Sequence, residues 1–232
     1  MSELSEQAIE NGVAGGVEER QALTETLAQL AGIGKYNRWM YEQFSSHLGK
    51  RVLEVGSGIG NITAFLAEAG RTVVATDVIP SYRDELEIRF KGNSQVTVDV
   101  FDLDREAPGD FTRSPFDNVV CLNVLEHIED DLGALRAMGS ALKDDGKLIL
   151  LVPAHQFLFG AFDVAVGHFR RYSKKLLSSR LQEAGFEINE LKFFNIAATL
   201  PWLLNGPLSL ERRKVPARPL ITLDPSNLVV QP

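Results

Sequence analysis

The stretch that constrains the fold most is Val52-Leu53-Glu54-Val55-Gly56-Ser57-Gly58-Ile59-Gly60-Asn61. An apolar run breaks into three glycines at alternate positions, and an amphipathic segment begins at once. Gly56 and Gly58 reach backbone angles closed to other residues, so the turn stays tight and a ligand can approach the main chain. The helix start that follows presents unpaired N–H groups. Glu54 is out of place in an apolar strand unless its carboxylate accepts a hydrogen bond from a cationic or amine group.

Beyond this loop the chain alternates short apolar runs with amphipathic segments. Strands are expected at 52–55, 72–76, 95–101, 116–122, 147–152 and 186–194, and helices at 59–69, 81–90, 130–142 and 173–184. Gly70 closes the first of these helices and Ser173 caps the last. Such alternation implies right-handed crossovers and an α/β fold, a doubly wound, mostly parallel sheet with helices on both faces. Ligands in such folds sit at the carboxyl ends of the strands. Four regions are expected: a flexible acidic tail (1–20), N-terminal helices forming a lid (21–48), a ligand-binding core (49–195) and an irregular Pro-rich segment (196–232). Either Leu220 to Leu223 or Leu228 to Val230 is a candidate for the last strand.

Charge and composition narrow the function. The 232 residues carry a formal net charge of −7, of which residues 1–20, with five Glu and one Arg, hold −4. An acidic chain is a poor general binder of nucleic-acid backbone. One cysteine makes no internal disulfide and no multi-Cys metal site, so a cytoplasmic protein with no metal is expected. The apolar-rich stretch 193–208 is interrupted by Asn195, Thr199, Pro201 and Asn205, too often for a membrane span.

The glycine loop admits three readings: a surface turn without ligand, a dinucleotide site, or a different nucleoside site. A dinucleotide fingerprint wants G-x-G-x-x-G, whereas here the third glycine falls at 60 and Asn61 follows. Glu54 would also face a pyrophosphate unfavourably. The E-x-G-x-G-x-G pattern instead resembles motif I of class I S-adenosylmethionine (SAM) dependent methyltransferases. Asp77, 21 residues after Gly56, stands where that family places an acid on the ribose hydroxyls, and Asp102 where an acid commonly faces the adenine amine. Residues 116–127 resemble the fourth-strand motif of the family's small-molecule branch, the ubiquinone/menaquinone type, and 146–153 its fifth strand. The resemblance covers about residues 36–194. It implies SAM as cofactor and S-adenosylhomocysteine (SAH) as product. The implied cofactor residues are Glu54, Gly56, Ser57, Gly58, Gly60, Asn61, Asp77, Val78, Asp102, Leu103, Asn123 and Val124. Tyr36, Trp39 and Tyr41 are expected either to cover the cofactor or to pack in the core.

On the acceptor side, Asn123-Val124-Leu125-Glu126 departs from the Pro-Pro-aromatic turn of enzymes that methylate nucleic-acid amines. The segment Gly167-His168-Phe169-Arg170-Arg171-Tyr172 resembles one found in bacterial methyltransferases associated with glycosyltransferases and secondary metabolism. From Val164 to Gln182 there are five cations and no acid. Candidate acceptor contacts are His127, His155, His168, Arg170, Arg171 and Tyr172, which points to an acceptor bearing carboxylate or phosphate. The alternative is that Arg170 or Arg171 binds loop carbonyls or Asp163. An oxygen nucleophile is helped by a base near neutral pKa, and His155 is the first candidate, His168 the second. The expected function is methyl transfer from SAM to an O or N atom of a small-molecule acceptor. The alternatives are an NAD(P)-dependent oxidoreductase and a non-catalytic scaffold of the same fold. A homodimer is left open.

Overall fold

The computed structural model describes residues 34–103, 115–194 and 227–231. The tail, the first part of the expected lid and the 220–223 stretch lie outside these residues. In chain order the elements are α1 (Gly34–Glu42), a 3-10 turn (Ser45–His47), β1 (Arg51–Val55), α2 (Asn61–Glu68), β2 (Thr72–Thr76), α3 (Pro80–Arg89), β3 (Val96–Asp99) and β4 (Phe116–Leu122). There follow a 3-10 turn (Leu125–His127), α4 (Asp131–Ser140), β5 (Leu142–Pro153), a 3-10 turn (Gln156–Leu158), α5 (Ala161–Ala165), α6 (Lys174–Glu183), β6 (Glu190–Phe194) and β7 (Asn227–Gln231).

The seven strands of the described residues form one sheet in the order β3-β2-β1-β4-β5-β7-β6. β1 to β5 are mutually parallel, while β7 runs antiparallel to both β5 and β6. Strand order reverses between β1 and β4, and the crevice above that reversal is where a ligand fits.

Alternation along the strands sorts the side chains into two cores. Leu53, Val55, Val119, Cys121, Leu148, Leu150 and Val152 face α4 and α6, packing on Leu135, Met138, Leu177 and Leu181. Val52, Val73, Ala75, Val120, Ile149 and Leu151 face the other way, against Met40, Phe44, Ile62, Leu66 and Leu86. Both faces of the sheet are therefore dry, which is why the strands read as nearly continuous apolar runs. Cys121 belongs to the first core, and burial pushes its thiol well above the usual range.

Two side chains at the start of β4 pin the N-terminal segment to the sheet. Asp117 accepts from the Lys50 and Arg51 amides at 2.8 and 2.7 Å, and Asn118 Oδ1 from Gly49 N at 2.6 Å. Asn118 Nδ2 donates to His47 O at 3.2 Å. This leaves α1 lying on α2, with the Tyr41 ring stacked on Phe65 at 5.7 Å.

Candidate active site

The glycine loop leaves β1 and enters α2 with Gly56, Gly58 and Gly60 all at positive φ (69°, 53° and 82°). At Gly56 a Cβ would also collide with Val124 Cγ2, so this position admits glycine on two grounds. The loop holds itself: Ser57 N donates to Thr76 O and Gly60 N to Ser57 O, each at 2.9 Å. Gly60 is the N-cap of α2, whose first turn has neither a side-chain cap nor an acidic residue.

Two acids are buried beside the loop. Glu54 Oε2 accepts from Thr63 Oγ1 at 2.6 Å, which ties the middle of the sheet to the first turn of α2. Burial raises the Glu54 carboxyl to about 7 against the pull of the Thr63 and Ser57 hydrogen bonds, with the nearby Asp77 charge adding to the rise. Asp77, at the end of β2, accepts from Gly58 N and Ile79 N, both at 2.9 Å. Burial raises its carboxyl as well, opposed by those two backbone bonds and by Arg83. Val78 beside it is exposed, Asp102 is half-buried and Leu103 is buried after β3. The expected cofactor positions thus lie on the carboxyl ends of β1, β2, β3 and β4, around one crevice.

Asn123 follows β4 with φ 54°, and His155 follows β5 with φ 66°. These are the non-glycine residues at positive φ among those described, and both sit at strand ends that face the crevice. Such backbone costs on the order of 1–3 kcal/mol and persists only where the surroundings enforce it. The His155 amide donates to Tyr172 O at 3.1 Å, and its ring stacks on Phe193 at 4.9 Å.

The segment 167–172 is sewn to the two neighbouring strand ends. Tyr172 N donates to Pro153 O and Phe169 N to Glu126 O, each at 2.8 Å. Arg170 donates to Ile128 O (2.9 Å) and Glu129 O (2.7 Å). Arg171 Nε donates to Asp163 Oδ1 at 2.8 Å with both side chains fully buried. Tyr172 Oη lies 3.2 Å from Asp131 Oδ2 in the interior.

The structure therefore corrects the expectation that Arg171 and Tyr172 line an acceptor pocket. Both are 0% exposed, because a charge and a hydroxyl inside the protein settle on internal partners. Arg170 takes the loop carbonyls and Arg171 takes Asp163, the arrangement weighed as the alternative.

Sequence reasoning missed the grouping of Glu126, His127 and His168, one polar atom of each lying within 4.8 Å of the others. The His127 and His168 rings meet edge-on at 4.6 Å. Burial, with help from His168, lowers His127 to about 4, so its ring is neutral at ordinary pH. His168 Nδ1 lies 2.8 Å from Asp163 Oδ1, and its Nε2 lies 4.0 Å from Glu126 Oε1. The one signal for Asp163 in the text is its place three residues after Gly160, where a helix N3 carboxylate reaches back to the N-cap amide.

The family model described as a methyltransferase domain matches residues 19–191. A ubiquinone biosynthesis O-methyltransferase of Xanthomonas euvesicatoria pv. vesicatoria is 30% identical over 161 residues, covering 62% of this chain and 65% of that protein. A second, from Xanthomonas campestris pv. campestris, is 38% identical over 107 residues, 44% of this chain and 42% of that protein. The matched part is thus less than two thirds of either relative. Among solved structures, an S-adenosylmethionine dependent methyltransferase from Mesorhizobium loti superposes with a TM-score of 0.60 at 17% identity, covering 82% of this chain and 95% of that one. At these identities the solved structures speak for the fold alone.

Proposed function

The chain belongs to the methyltransferase-domain family of class I, and from that premise we propose that it binds SAM and transfers its methyl group to an oxygen or nitrogen of a small-molecule acceptor. The observation that carries the reading is the pair of desolvated acids, Glu54 and Asp77, flanking a glycine loop at the strand-order reversal. A cationic amino-acid end suits Glu54, and ribose hydroxyls suit Asp77, whose oxygens keep lone pairs beyond the two amides they accept. Asp102 with Leu103 would face the adenine, while Asn123 and Val124 would close the methionyl side. Two acids at this mouth suit a pyrophosphate badly, which sets the oxidoreductase alternative behind this one. The names of the relatives favour oxygen as the methylated atom.

SAM brings an already activated methyl group, so alignment of the acceptor supplies much of the acceleration. What is left for side chains is the acceptor's proton. His168, paired with Asp163 and adjoining His127 and Glu126, is the better placed base. His155 has its ring stacked on Phe193, and among the described residues no carboxylate pairs with it. Arg170 is spent on the Ile128 and Glu129 carbonyls and Arg171 on Asp163, which weakens the case for an acidic group on the acceptor. The proposed setting is cytoplasmic, on the strength of one buried, free cysteine, and no described helix is long and apolar enough to cross a membrane.

Calorimetric titration with SAH tests the reading. The unmodified chain is expected to bind, and Asp77→Ala to bind at least about tenfold more weakly through two lost hydrogen-bonding oxygens. No binding by the unmodified chain would overturn it. Labelled-methyl transfer from SAM into fractionated metabolites then identifies the acceptor.

A further inference from the structure

We propose that Asp163 is the positioning residue of the acceptor side: it holds the His168 imidazole with its proton on Nδ1, so that Nε2 is the proton-accepting atom. The purpose of that proton transfer rests on the methyl-transfer reading; the tautomer rests on the hydrogen bonds around Asp163. Asp163 Oδ1 lies 2.8 Å from His168 Nδ1 and accepts from Arg171 Nε at 2.8 Å, while Oδ2 accepts from Gly160 N at 2.9 Å. Arg171 and the Gly160 amide can only donate. Burial works against the charge on Asp163, but the bonds from His168, Arg171 and Gly160 outweigh it and hold the carboxyl below its usual range. An ionised carboxylate is acceptor-only, so the hydrogen in the contact to His168 belongs to Nδ1.

The ring is fixed in orientation as well as in tautomer. His168 N donates to Asp163 O at 2.8 Å, so one residue grips both the backbone and the side chain of the histidine. The His127 ring abuts it edge-on, and Nε2 points toward the Glu126 carboxylate at 4.0 Å. When the acceptor hydroxyl gives its proton to Nε2, its oxygen takes the methyl carbon and the S–CH3 electron pair returns to sulfur, leaving SAH. The imidazolium so formed lies between the Asp163 and Glu126 carboxylates and passes its proton to solvent. His168 is 11% exposed at its side chain, enough for that exchange. Arg171 takes part indirectly: by occupying the same oxygen as His168, it keeps Asp163 charged in a fully buried place.

Long-range proton–nitrogen spectra of ring-labelled histidines test the tautomer, recorded at pH 8 with EDTA and assigned with His168→Gln. The expected result is a protonated Nδ1 and a bare Nε2 at His168. A protonated Nε2 in the unmodified chain would overturn the proposal. Asp163→Ala combined with Arg171→Met removes the buried pair without leaving a lone buried charge, and is expected to shift His168 to the Nε2–H form. Persistence of the Nδ1–H form in that folded double variant would also overturn it.

The kinetic arm uses catechol and 4-nitrocatechol as probe phenols, the nitro group of the second making its hydroxyl ionise without help. Methylation of neither by the unmodified chain would overturn the role of His168 as a base toward hydroxyls. In the double variant, turnover of catechol is expected to fall about 10²–10³-fold with KM within threefold. Turnover of 4-nitrocatechol is expected to fall less than tenfold. An equal loss on both acceptors would mean a structural role only and overturn the positioning role. The ring spectra need neither SAM nor an acceptor. A chain that fails to bind SAH would therefore overturn the methyl-transfer reading and leave the tautomer result standing.

Discussion

Glu54 shows how one residue can be unfavourable for the fold and useful for a site. It lies in β1, between Ala75 on one neighbouring strand and Val120 on the other, and it is 4% exposed. Thr63 satisfies one of its oxygens, yet burial still raises its carboxyl to about 7. The folded chain therefore holds a proton that the unfolded chain has released between about pH 4.5 and 7, so this group's contribution to stability falls as pH rises through that window. The loss is on the order of 3 kcal/mol once the group is ionised. Glu54→Gln is expected to raise the melting temperature of the ligand-free protein at pH 8, to flatten its pH dependence between 5 and 7, and to weaken SAH binding. Thermal melts across pH beside calorimetry check this; a variant less stable than the parent at pH 8 would count against it. Asn123 and His155 make a similar point in the backbone, since both hold positive φ at strand ends where the crevice opens.

At the level of elements, the local code was legible where a single residue sets the boundary. Ser173 Oγ accepts from Leu176 N at 3.1 Å and starts α6, and Asp130 accepts from Gly133 N at 2.9 Å and starts α4. Ser173→Ala is expected to cost about 1 kcal/mol, a fall in melting temperature of about 2–4 °C for a chain of this size. A thermal melt checks it, with unchanged SAH affinity as the companion observation. Boundaries drifted where tertiary pairing decided them. β3 is shorter than the alternation of 95–101 suggested, because only Val96–Asp99 pair with β2. β5 is longer than 147–152, since Leu142 already pairs with Phe116 ahead of a register shift. β6 begins at Glu190, not at Phe186, whose ring instead packs near Gly139 of α4.

For the whole molecule, the decisive element is β7. It enters the sheet between β5 and β6, pairing Leu150 to Pro153 on one side and Glu190 to Phe194 on the other. Its removal would unpair two strand edges that are now satisfied, one on β5 and one on β6. A chain ending at residue 226 is therefore expected to lose cooperative unfolding and to aggregate, which denaturant titration and light scattering would detect. A monomeric truncated chain with the parent's midpoint would contradict this placement.

The text of the chain by itself determined the alternating architecture, the glycine loop and the acids near it. Those properties depend on residues close in sequence: the period of apolar positions, the angles glycine permits, a cap beside a first turn. It did not determine who pairs with whom. Arg170 and Arg171 are adjacent and chemically alike, yet one holds the carbonyls of Ile128 and Glu129 while the other is buried on Asp163. Only the tertiary structure decided that, because a long cation chooses among partners brought together by strands and loops far apart in sequence. The same holds for His168, whose neighbours Glu126 and His127 lie about forty residues earlier and meet it only when the segment after β5 folds back across the end of β4.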